Sequence, residues 1–422
     1  MHGKEEAVTE NTGPRVFVHA ISNPNWKGIH AVEKYEQRIL VCSPRKGKVV
    51  FVFSEKPDPD FMQYRRDYLG YSGDEIMIIT QGKGEHLGER LLNDRRSIGF
   101  LKSLVPKGTV IETFTAGPTE EKLAKKLGFT MIGGPEHEKL GSKSRLRQLA
   151  KQMGLKVSPG FEFAEDVNEV IEAAEQLFEA GVETVVVKGD YGASSSQNAK
   201  FTRSEGWQNN IRRFCYHIEF QAGAVEEWID DVEISPSTHF MLNGKAIAEP
   251  GPWEQVLRGQ TKIYAGAKYP AQVSDEIAEQ IRSQGLKLAE GYNELGYKGP
   301  LGFDTIVRQN GDILWSDVNA RQGGVTFIRN FAVEQQLLHK VVWGLDIVDD
   351  RLRYYTFKQV LKKAKALLYD YQKKEQGGVV FYNVGCLSEG KIQVIIVADN
   401  EPEANYNWRL VNKRLLERFL LA

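Results

Sequence analysis

The sequence predicts a mixed α/β and α+β protein, in which an open, largely parallel sheet near the start is followed by antiparallel hairpins. Between residues 15 and 135, short apolar runs alternate with polar or helical stretches, as in parallel α/β units. From Ser142 onward, helical stretches alternate with strands and hairpins whose loops are rich in Gly and Ser. The dipeptide Asn310-Gly311, between two apolar runs, is a strong hairpin signal.

The chain of 422 residues is long enough for two or three domains. We expect four segments along it. These are a disordered tail over residues 1–14, an α/β domain over residues 15–135, a second domain over residues 136–345 and a C-terminal extension over residues 346–422.

The composition is ordinary for a globular protein, with 41% hydrophobic and 26% charged residues. A net charge of -1 argues against a general nucleic-acid or membrane-surface binder, because both need a basic excess. The three cysteines are far apart and give neither a disulfide framework nor a zinc spacing, so we expect a cytoplasmic protein. The polar N-terminus lacks the apolar stretch of a signal peptide, and no apolar run reaches bilayer length.

The first segment contains six apolar runs between its helical stretches. In a stretch such as EKLAKKLGF, Leu123, Ala124 and Leu127 share one helical face. We expect the strands of the parallel sheet in VFVHAI, ILVCS, VVFVFS, IMIIT, TVIETF and TMIGG.

A helix is predicted to begin after Ser142, which is a plausible N-cap, and to end at Gly154. Its first turn contains Lys143, although a cation is disfavoured there by the helix dipole. An anion bound nearby would explain this lysine, and a solvated surface lysine is the alternative.

The loop KGDYGASSSQN, over residues 188–198, follows a strand and is predicted to bind phosphate. Lys188 lies at the strand end, and glycines let backbone N–H groups approach an anion. The loop returns to a strand, so it reads as a hairpin flap over a nucleotide, with a flexible surface hairpin as the alternative. The candidate contacts are Lys188, Gly189, Gly192, Ser194, Ser195 and Ser196.

The segment AVEEWIDDVEI, over residues 224–234, combines an apolar pair with acidic residues. Glu226 and Glu227 precede Trp228 and Ile229, and a further acid follows at Glu233. Such a strand could hold an adenine ring and its ribose hydroxyls. An acidic strand at a sheet edge is the alternative.

The hairpin over residues 301–326 carries the third group of polar residues. If its turn is a type I′ turn centred on Asn310-Gly311, Asp304 lies directly opposite Asp317. Strand alternation then puts Asn319 and Arg321 on the same face. Like charges that face each other destabilise a sheet unless a cation lies between them, and oxygen ligands suit Mg²⁺ or Mn²⁺. The alternative is an exposed strand face that carries acids.

Beyond these motifs we expect a long loop over residues 251–270, a helix over residues 274–295 and, after residue 345, a basic helix, a hairpin and a final helix. The last helix has an apolar face that either packs on its own domain or forms a dimer interface. That face comprises Leu415, Leu416, Phe419 and Leu420.

These motifs occur in the order found in the ATP-grasp superfamily, which the chain resembles over about residues 136–345. The preceding α/β segment is similar to the Rossmann-like pre-ATP-grasp domain of such enzymes. With its short C-terminal extension, the chain looks most like peptide ligases of the pheganomycin type.

The resemblance implies a nucleotide-binding role for several residues. Lys143 and Lys188 match the lysines that contact ATP phosphates, and residues 189–197 match the flexible loop that covers them. The adenine hinge and the ribose-binding acid match Glu226, Trp228, Ile229 and Glu233.

The resemblance also implies a metal site and a catalytic arginine. Asp304, Asp317 and Asn319 match the metal ligands, and Arg321 matches the arginine beside the transferred phosphoryl group. The middle ligand is commonly Glu, and the shorter Asp317 leaves open whether one or two ions bind. Gly302 stands where some D-alanine–D-alanine ligase relatives carry Arg, which argues against that subfamily.

The implied activity is ATP-dependent joining of a small carboxylate to an amine through an acyl phosphate, with release of ADP and phosphate. ATP and Mg²⁺ or Mn²⁺ are the implied cofactors, and Lys188 and Arg321 the implied catalytic residues. Another ATP-grasp outcome, such as a carboxylase or a different phosphoryl transfer, is the alternative. A second alternative is a non-catalytic ATP-binding protein, although such a protein would have less need of Asp304, Asp317 and Arg321.

Substrate-binding residues are harder to predict from the sequence. Arg258 and Arg329 could bind carboxylates through two hydrogen bonds. His239 and His339 are expected in packing or at the surface.

Overall fold

The structure is a computed structural model that describes residues 14–19, 32–45, 47–115, 117–132, 140–190, 197–242, 246–248, 251–259 and 263–417. The predicted N-terminal tail therefore lies almost entirely outside the described residues. The described strands form three sheets of five, four and ten strands.

The first sheet is parallel, with the strand order β3-β2-β1-β4-β5. Its residues form strands because they are apolar on both faces, as helices cover both sides of a parallel sheet. The α/β prediction for this segment is confirmed. The strands are β1 Arg15–Val18, β2 Val49–Phe53, β3 Ile76–Ile79, β4 Val110–Thr113 and β5 Thr130–Met131.

The described part of this segment contains five α-helices, and one of them corrects a prediction. The run ILVCS was expected as a strand, but it forms the short helix α1, Ile39–Cys42, after a 3-10 helix at Val32–Arg38. All four α1 residues are buried, and periodicity alone does not separate a short buried strand from a buried helical turn. The other helices are α2 Pro59–Leu69, α3 Leu87–Leu92, α4 Arg95–Leu104 and α5 Pro118–Leu127.

The second sheet is antiparallel, with the order β6-β9-β7-β8. The helix predicted after Ser142 is α6, and the Ser142 side chain accepts a hydrogen bond from the Arg145 N–H, as an N-cap does. The strands are β6 Gly160–Ala164, β7 Thr184–Gly189, β8 Asn198–Thr202 and β9 Gly223–Glu227. The helices are α6 Lys143–Gln152, α7 Val167–Glu179 and α8 Trp207–His217.

The third sheet is the largest, and it overturns one loop prediction. Residues 251–270 were expected as a long loop, but they contain two antiparallel strands, β13 and β14. Gly266 has a positive φ, and its backbone packs so closely against the next strand that there is no room for a Cβ atom. The strand therefore requires a glycine at a position where glycine is more typical of a loop. The strands are β10 Val232–Ile234, β11 Pro236–Leu242, β12 Ala246–Ala248, β13 Trp253–Arg258, β14 Ile263–Tyr269, β15 Gly299–Arg308, β16 Ile313–Asn319, β17 Val341–Val348, β18 Gly378–Asn383 and β19 Lys391–Ala398.

Four helices belong to this part of the chain. The helix expected over residues 274–295 is present as α9, capped by Ser274. The helix after the hairpin, α10, begins directly behind β16 and its loop. The helices are α9 Asp275–Glu294, α10 Gly324–Glu334, α11 Phe357–Ala364 and α12 Glu401–Leu416.

The C-terminal segment extends the large sheet. The predicted boundary between residues 345 and 346 falls inside β17, which pairs with β14 on one side and β19 on the other. Leu415 is fully buried in the core that these strands share with α2 and α10, whereas Phe419 and Leu420 lie outside the described residues. Dimer formation stays a prediction. None of the helices in the described ranges has the length and apolar character needed to cross a bilayer.

Candidate active site

A cavity of about 740 Å³ brings together residues from the four-stranded sheet, the large sheet and the region around α1. Most of the residues singled out in the sequence line it. They are Lys143, Lys188, Glu226, Glu227, Trp228, Ile229, Asp304, Asp317, Asn319 and Arg321.

The hairpin places its two acids opposite each other, but the turn differs from the prediction. Only Gly311 of the dipeptide has a positive φ, and its N–H donates to the Arg308 carbonyl, as in a turn of type I followed by a left-handed glycine. This longer turn shifts the register by one residue near the loop. A β-bulge at Ser316 restores it, so that Asp304 pairs with Asp317 as predicted.

The paired acids form the anionic end of the cavity. Burial, followed by the charge of Asp317, raises the pKa of Asp304 to about 7. The Asn319 amide nitrogen donates to Asp304 Oδ2 at 3.0 Å, which leaves its oxygen as a third oxygen ligand. Two carboxylates and an amide oxygen fit Mg²⁺ or Mn²⁺. Within the described ranges, no group of three or more His, Cys, Asp or Glu side chains forms another metal site.

Lys188 reaches the hairpin from the end of β7. Its ammonium donates to Ser316 Oγ at 3.0 Å and lies 3.4 Å from the Ser316 carbonyl, both in the bulge. The same ammonium lies 3.1 Å from Glu226 Oε2. The bulge therefore fixes the position of this lysine as well as the register of the acids.

Lys143, at the start of α6, lies between the two sheets. Its ammonium donates to the Gly189 carbonyl at 2.8 Å and lies 3.8 Å from Asp317 Oδ1. The anion expected at this helix start is supplied partly by Asp190, whose Oδ1 accepts the Ser144 N–H at 2.8 Å.

Glu226 lies at the centre of a buried ion-pair network. It is 1% exposed and its Oε2 lies 3.1 Å from Lys188 and 3.2 Å from Arg147 Nη1. Its other oxygen, Oε1, is buried without a hydrogen-bond partner among the described residues. The sequence did not indicate Arg147, which is fully buried on α6 and also binds Glu162 and the Ser158 carbonyl.

The predicted hinge is only partly where the motif suggested. Glu227, Trp228 and Ile229 line the cavity, and the Lys200 ammonium lies 4.0 Å from the Trp228 ring centroid. Glu233, the predicted ribose acid, is exposed on β10 and does not line the cavity. A strand alternates its faces, so the cavity is lined there by Val232 and, after the strand, Ser235.

Arg321 follows the hairpin and lines the cavity close to the acids. Burial lowers its pKa to about 10, and the charges of Asp304 and Asp317 act in the opposite direction. It is therefore a cation at neutral pH. Its Nη1 donates to the Gln322 carbonyl at 3.4 Å.

Several predicted residues are not among the described cavity residues. Arg258 and Arg329 do not line the cavity, whereas His239 does. Burial lowers the pKa of His239 to about 3, so this side chain stays neutral, and it packs beside Ser237. His339 is exposed near Glu375. Outside the described residues lie Gly192, Ser194, Ser195 and Ser196.

The arrangement of the three sheets is that of the ATP-grasp fold. An N5-carboxyaminoimidazole ribonucleotide synthetase in its ADP complex superposes with a TM-score of 0.60 at 14% identity, over 95% of this chain and 96% of the other. A biotin carboxylase from Campylobacter jejuni superposes with a TM-score of 0.61 at 13% identity, over 94% and 90% of the two chains. These structures establish the fold, and the predicted resemblance to the ATP-grasp superfamily is confirmed.

The curated proteins that are similar in sequence include two ligases, although no family model matches the chain. One is a [butirosin acyl-carrier protein]–L-glutamate ligase from Niallia circulans, 26% identical over 207 residues. That match covers 48% of this chain and 48% of the relative, so the chain matches about half the length of this relative. The other is an L-propargylglycine–L-glutamate ligase from Streptantibioticus cattleyicolor, 25% identical over 414 residues, which are 85% of this chain and 83% of the relative. The finer resemblance to pheganomycin-type ligases stays a prediction.

Proposed function

We propose that this protein is an ATP-dependent ligase that joins a carboxylate to an amine through an acyl phosphate. One observation carries the proposal: Lys143, Lys188 and Arg321 converge with Asp304 and Asp317 on a single cavity. A carboxylate that attacks a triphosphate needs positive charge to offset the repulsion between two anions. Two of the curated relatives are named as L-glutamate ligases, which supports the proposal.

The adenine of ATP is proposed to lie at the hinge after β9. The backbone N–H of Trp228 already donates to the Thr184 carbonyl at 2.9 Å, so the backbone N–H of Ile229 is the better donor for a nitrogen of the adenine ring. The unpaired Oε1 of Glu226 is proposed to accept the exocyclic amine. The phosphates would then extend towards Lys188 and Lys143.

A divalent metal is proposed to bind Asp304, Asp317 and Asn319. Burial and, after it, the charge of Asp317 raise the pKa of Asp304, and a cation between the two acids would offset both effects, which supports a metal at this place. Bound there, Mg²⁺ would neutralise phosphate charge. Whether one or two ions bind is a question for titration.

The protein's own side chains are proposed to position the reacting groups and to offset charge. Lys143, Lys188 and Arg321 hold the phosphates while a carboxylate oxygen forms a bond to the γ-phosphorus and ADP leaves. The amine then bonds to the acyl carbon, the C–O bond breaks and phosphate departs with that oxygen. No side-chain nucleophile is required. The proposed lid over residues 189–197, which would keep water from the acyl phosphate, stays a prediction.

The substrate class proposed first is an amino acid, with L-glutamate as the leading candidate. Two of the curated relatives carry L-glutamate in their names. The solved neighbours share the fold alone, so bicarbonate belongs in the test as the substrate of the competing carboxylase function.

The test is ADP release from ATP with pairs of carboxylates and amines, bicarbonate included, with products identified by mass. We expect Asp317→Ala and Lys188→Ala each to reduce ADP release by about a hundredfold or more, because each removes charge that acts on the transferred phosphoryl group. The folded state should be retained, as judged by circular dichroism.

One matched control lies on the same hairpin, and the other lies between α6 and β6 and forms an ion pair with it. Asp312 and Lys156 form an exposed ion pair outside the cavity, so Asp312→Ala and Lys156→Ala should keep full activity. Undiminished ADP release by both site variants would overturn the site assignment. AMP as the nucleotide product would overturn the acyl-phosphate chemistry.

A further inference from the structure

A buried arginine, Arg38, lines the cavity away from the proposed adenine hinge. It ends the 3-10 helix before α1 and is 8% exposed. Its guanidinium carbon lies 3.9 Å from the ring centroid of Phe327, 4.5 Å from that of Phe114 and 5.4 Å from that of Tyr35. Three aromatic rings therefore hold the guanidinium at the cavity wall.

Arg38 has no anionic partner in the part of the chain that the structure describes. No described carboxylate or carbonyl accepts a hydrogen bond from it, and its Nε is buried without a partner. Burial lowers its pKa, and the groups that oppose this are tyrosines and cysteine thiols, which are neutral at pH 7. Aromatic contacts alone compensate only part of the cost of a buried charge.

Another buried arginine shows how this protein satisfies a structural guanidinium. Arg65 is fully buried and, like Arg38, lies over a ring, 4.2 Å from the centroid of Tyr71. In contrast to Arg38, it donates to Glu75 at 3.0 Å and to the Leu40 carbonyl at 2.7 Å. The absence of such acceptors at Arg38 points to an acceptor from outside the described chain.

Two further positive features face the same part of the cavity. Phe327 belongs to the first turn of α10, whose first residues Gly324 and Val325 line the cavity. The N-cap residue of this helix is Gly323, which has no side chain to accept the N–H groups of that turn. A helix start is positive and disfavours a guanidinium beside it unless an anion is bound. Arg321 is also close enough for its charge to repel that of Arg38.

We propose that Arg38 and the first turn of α10 bind a substrate carboxylate that the reaction leaves unchanged, such as the second carboxylate of an amino-acid or dicarboxylic-acid substrate. This inference rests on the proposed ligase function and names the recognition group of its substrate. A carboxylate held by a guanidinium and by helix N–H groups is a weak nucleophile, so the carboxylate that is phosphorylated is a different one. Tyr264, whose hydroxyl is buried in the cavity wall without a described partner, is placed to donate a further hydrogen bond.

The test is equilibrium binding of amino acids to the full-length protein in the presence of ADP and Mg²⁺, by calorimetry. The probes are L-glutamate, the other proteinogenic amino acids and glutarate, each compared with the analogue in which one carboxylate is a carboxamide. We expect at least one probe to bind and to lose about tenfold or more in affinity when its recognised carboxylate becomes an amide.

The variant Arg38→Met keeps an unbranched apolar side chain and removes the guanidinium and its charge. It should weaken the carboxylate probe by about the same factor, while binding of the carboxamide analogue and of ADP stays as in the wild type. Arg38→Lys should recover part of the affinity, because it restores the charge without the planar fork. Equal losses for the carboxylate and for ADP would place a nucleotide phosphate at Arg38 and overturn the proposal.

Stability without ligand provides a second, independent readout. Because Arg38 lacks an anionic partner, Arg38→Met should leave the melting temperature unchanged or raise it, whereas Arg65→Met should lower it. A fall for Arg38→Met comparable with that for Arg65→Met would show a structural role and contradict the inference.

The outcomes separate this inference from the proposed function. If wild-type protein releases ADP with an amino acid that Arg38→Met binds equally well, the ligase function stands and the role of Arg38 is wrong. If no probe binds to the wild type, the carboxylate site is also wrong. If no substrate pair supports ADP release but a probe binds in the Arg38-dependent way, the ligase function is wrong and the binding site stands.

Discussion

Arg147 is the residue whose replacement tests the buried ion-pair network most severely. It is fully buried on α6 and holds Glu162 at 2.9 Å, the Ser158 carbonyl at 2.8 Å and Glu226 at 3.2 Å. The change Arg147→Met keeps most of the side-chain volume and removes all three contacts. Glu226, which is 1% exposed, is then left with Lys188 as its described cation.

Removal of one partner from a buried ion pair costs about 3–5 kcal/mol, because the remaining charge stays desolvated. Lys188 still compensates Glu226, so we expect the lower part of this range, about 3 kcal/mol. Without Arg147, the Glu226 carboxylate should also draw the Lys188 ammonium away from Ser316, where Lys188 faces the proposed phosphates. The Michaelis constant for ATP should therefore rise together with the loss of stability.

The assay is urea-induced unfolding combined with ATP-dependent kinetics, and Lys151→Met is the matched control. Lys151 lies on the same helix and contacts the same Glu162 at 2.6 Å, but it is 45% exposed. Removal of such a surface contact costs about 1 kcal/mol or less. If Arg147→Met unfolds at the same urea concentration as Lys151→Met, with an unchanged Michaelis constant for ATP, the network has no supporting role.

Two further predictions concern groups outside this network. Burial raises the pKa of Glu36 to about 7 from an unfolded value near 4.5, so the folded state binds its proton more tightly and stability falls as the pH rises between these values. Glu36→Gln should remove this dependence of stability on pH and stabilise the protein at pH 8 by about 3 kcal/mol. The prediction is wrong if the free energy of unfolding changes between pH 5 and pH 8 by the same amount in the wild type and in the variant. In Gly302→Ala, the new Cβ atom would lie 2.9 Å from Nδ1 of the buried His239, which should cost about 1–3 kcal/mol of stability. In a His239→Ala background the clash is absent, so Gly302→Ala should lower the melting temperature much less there than in the wild type. A melting temperature unaffected by Gly302→Ala in the wild type would show that the ring is free to move.

The hairpin shows both the reach and the limit of prediction from sequence. Strand alternation and an assumed type I′ turn led to the pairing of Asp304 with Asp317, which the structure shows. The family resemblance implied that Lys188 and Arg321 belong to the same site, and both line the cavity. The type I′ turn was wrong, and the pair is correct only because the bulge at Ser316 compensates for the longer turn. A bulge leaves no mark in hydrophobic alternation, so its contact with Lys188 was not predictable.

Residues without a local motif were missed for a different reason. Arg38 and Arg147 lie next to apolar residues in the sequence, and nothing in their neighbours distinguishes a solvated arginine from a buried one. Their roles depend on which strands and helices meet, since Arg38 packs against Phe327 and Arg147 against Glu226. Glu233 is the opposite case: the motif selected it, and the face of β10 directs it to solvent.

The measurement that tests the central claim most directly is the fate of oxygen from the carboxylate substrate. For a pair of substrates that supports ADP release, the carboxylate partner is labelled with ¹⁸O and the phosphate product is analysed by mass. An acyl phosphate requires one labelled oxygen to pass from the carboxylate to phosphate when the amine displaces it. We predict one ¹⁸O atom in each phosphate released, with unlabelled ADP. Unlabelled phosphate, or label in AMP, would contradict the proposed reaction.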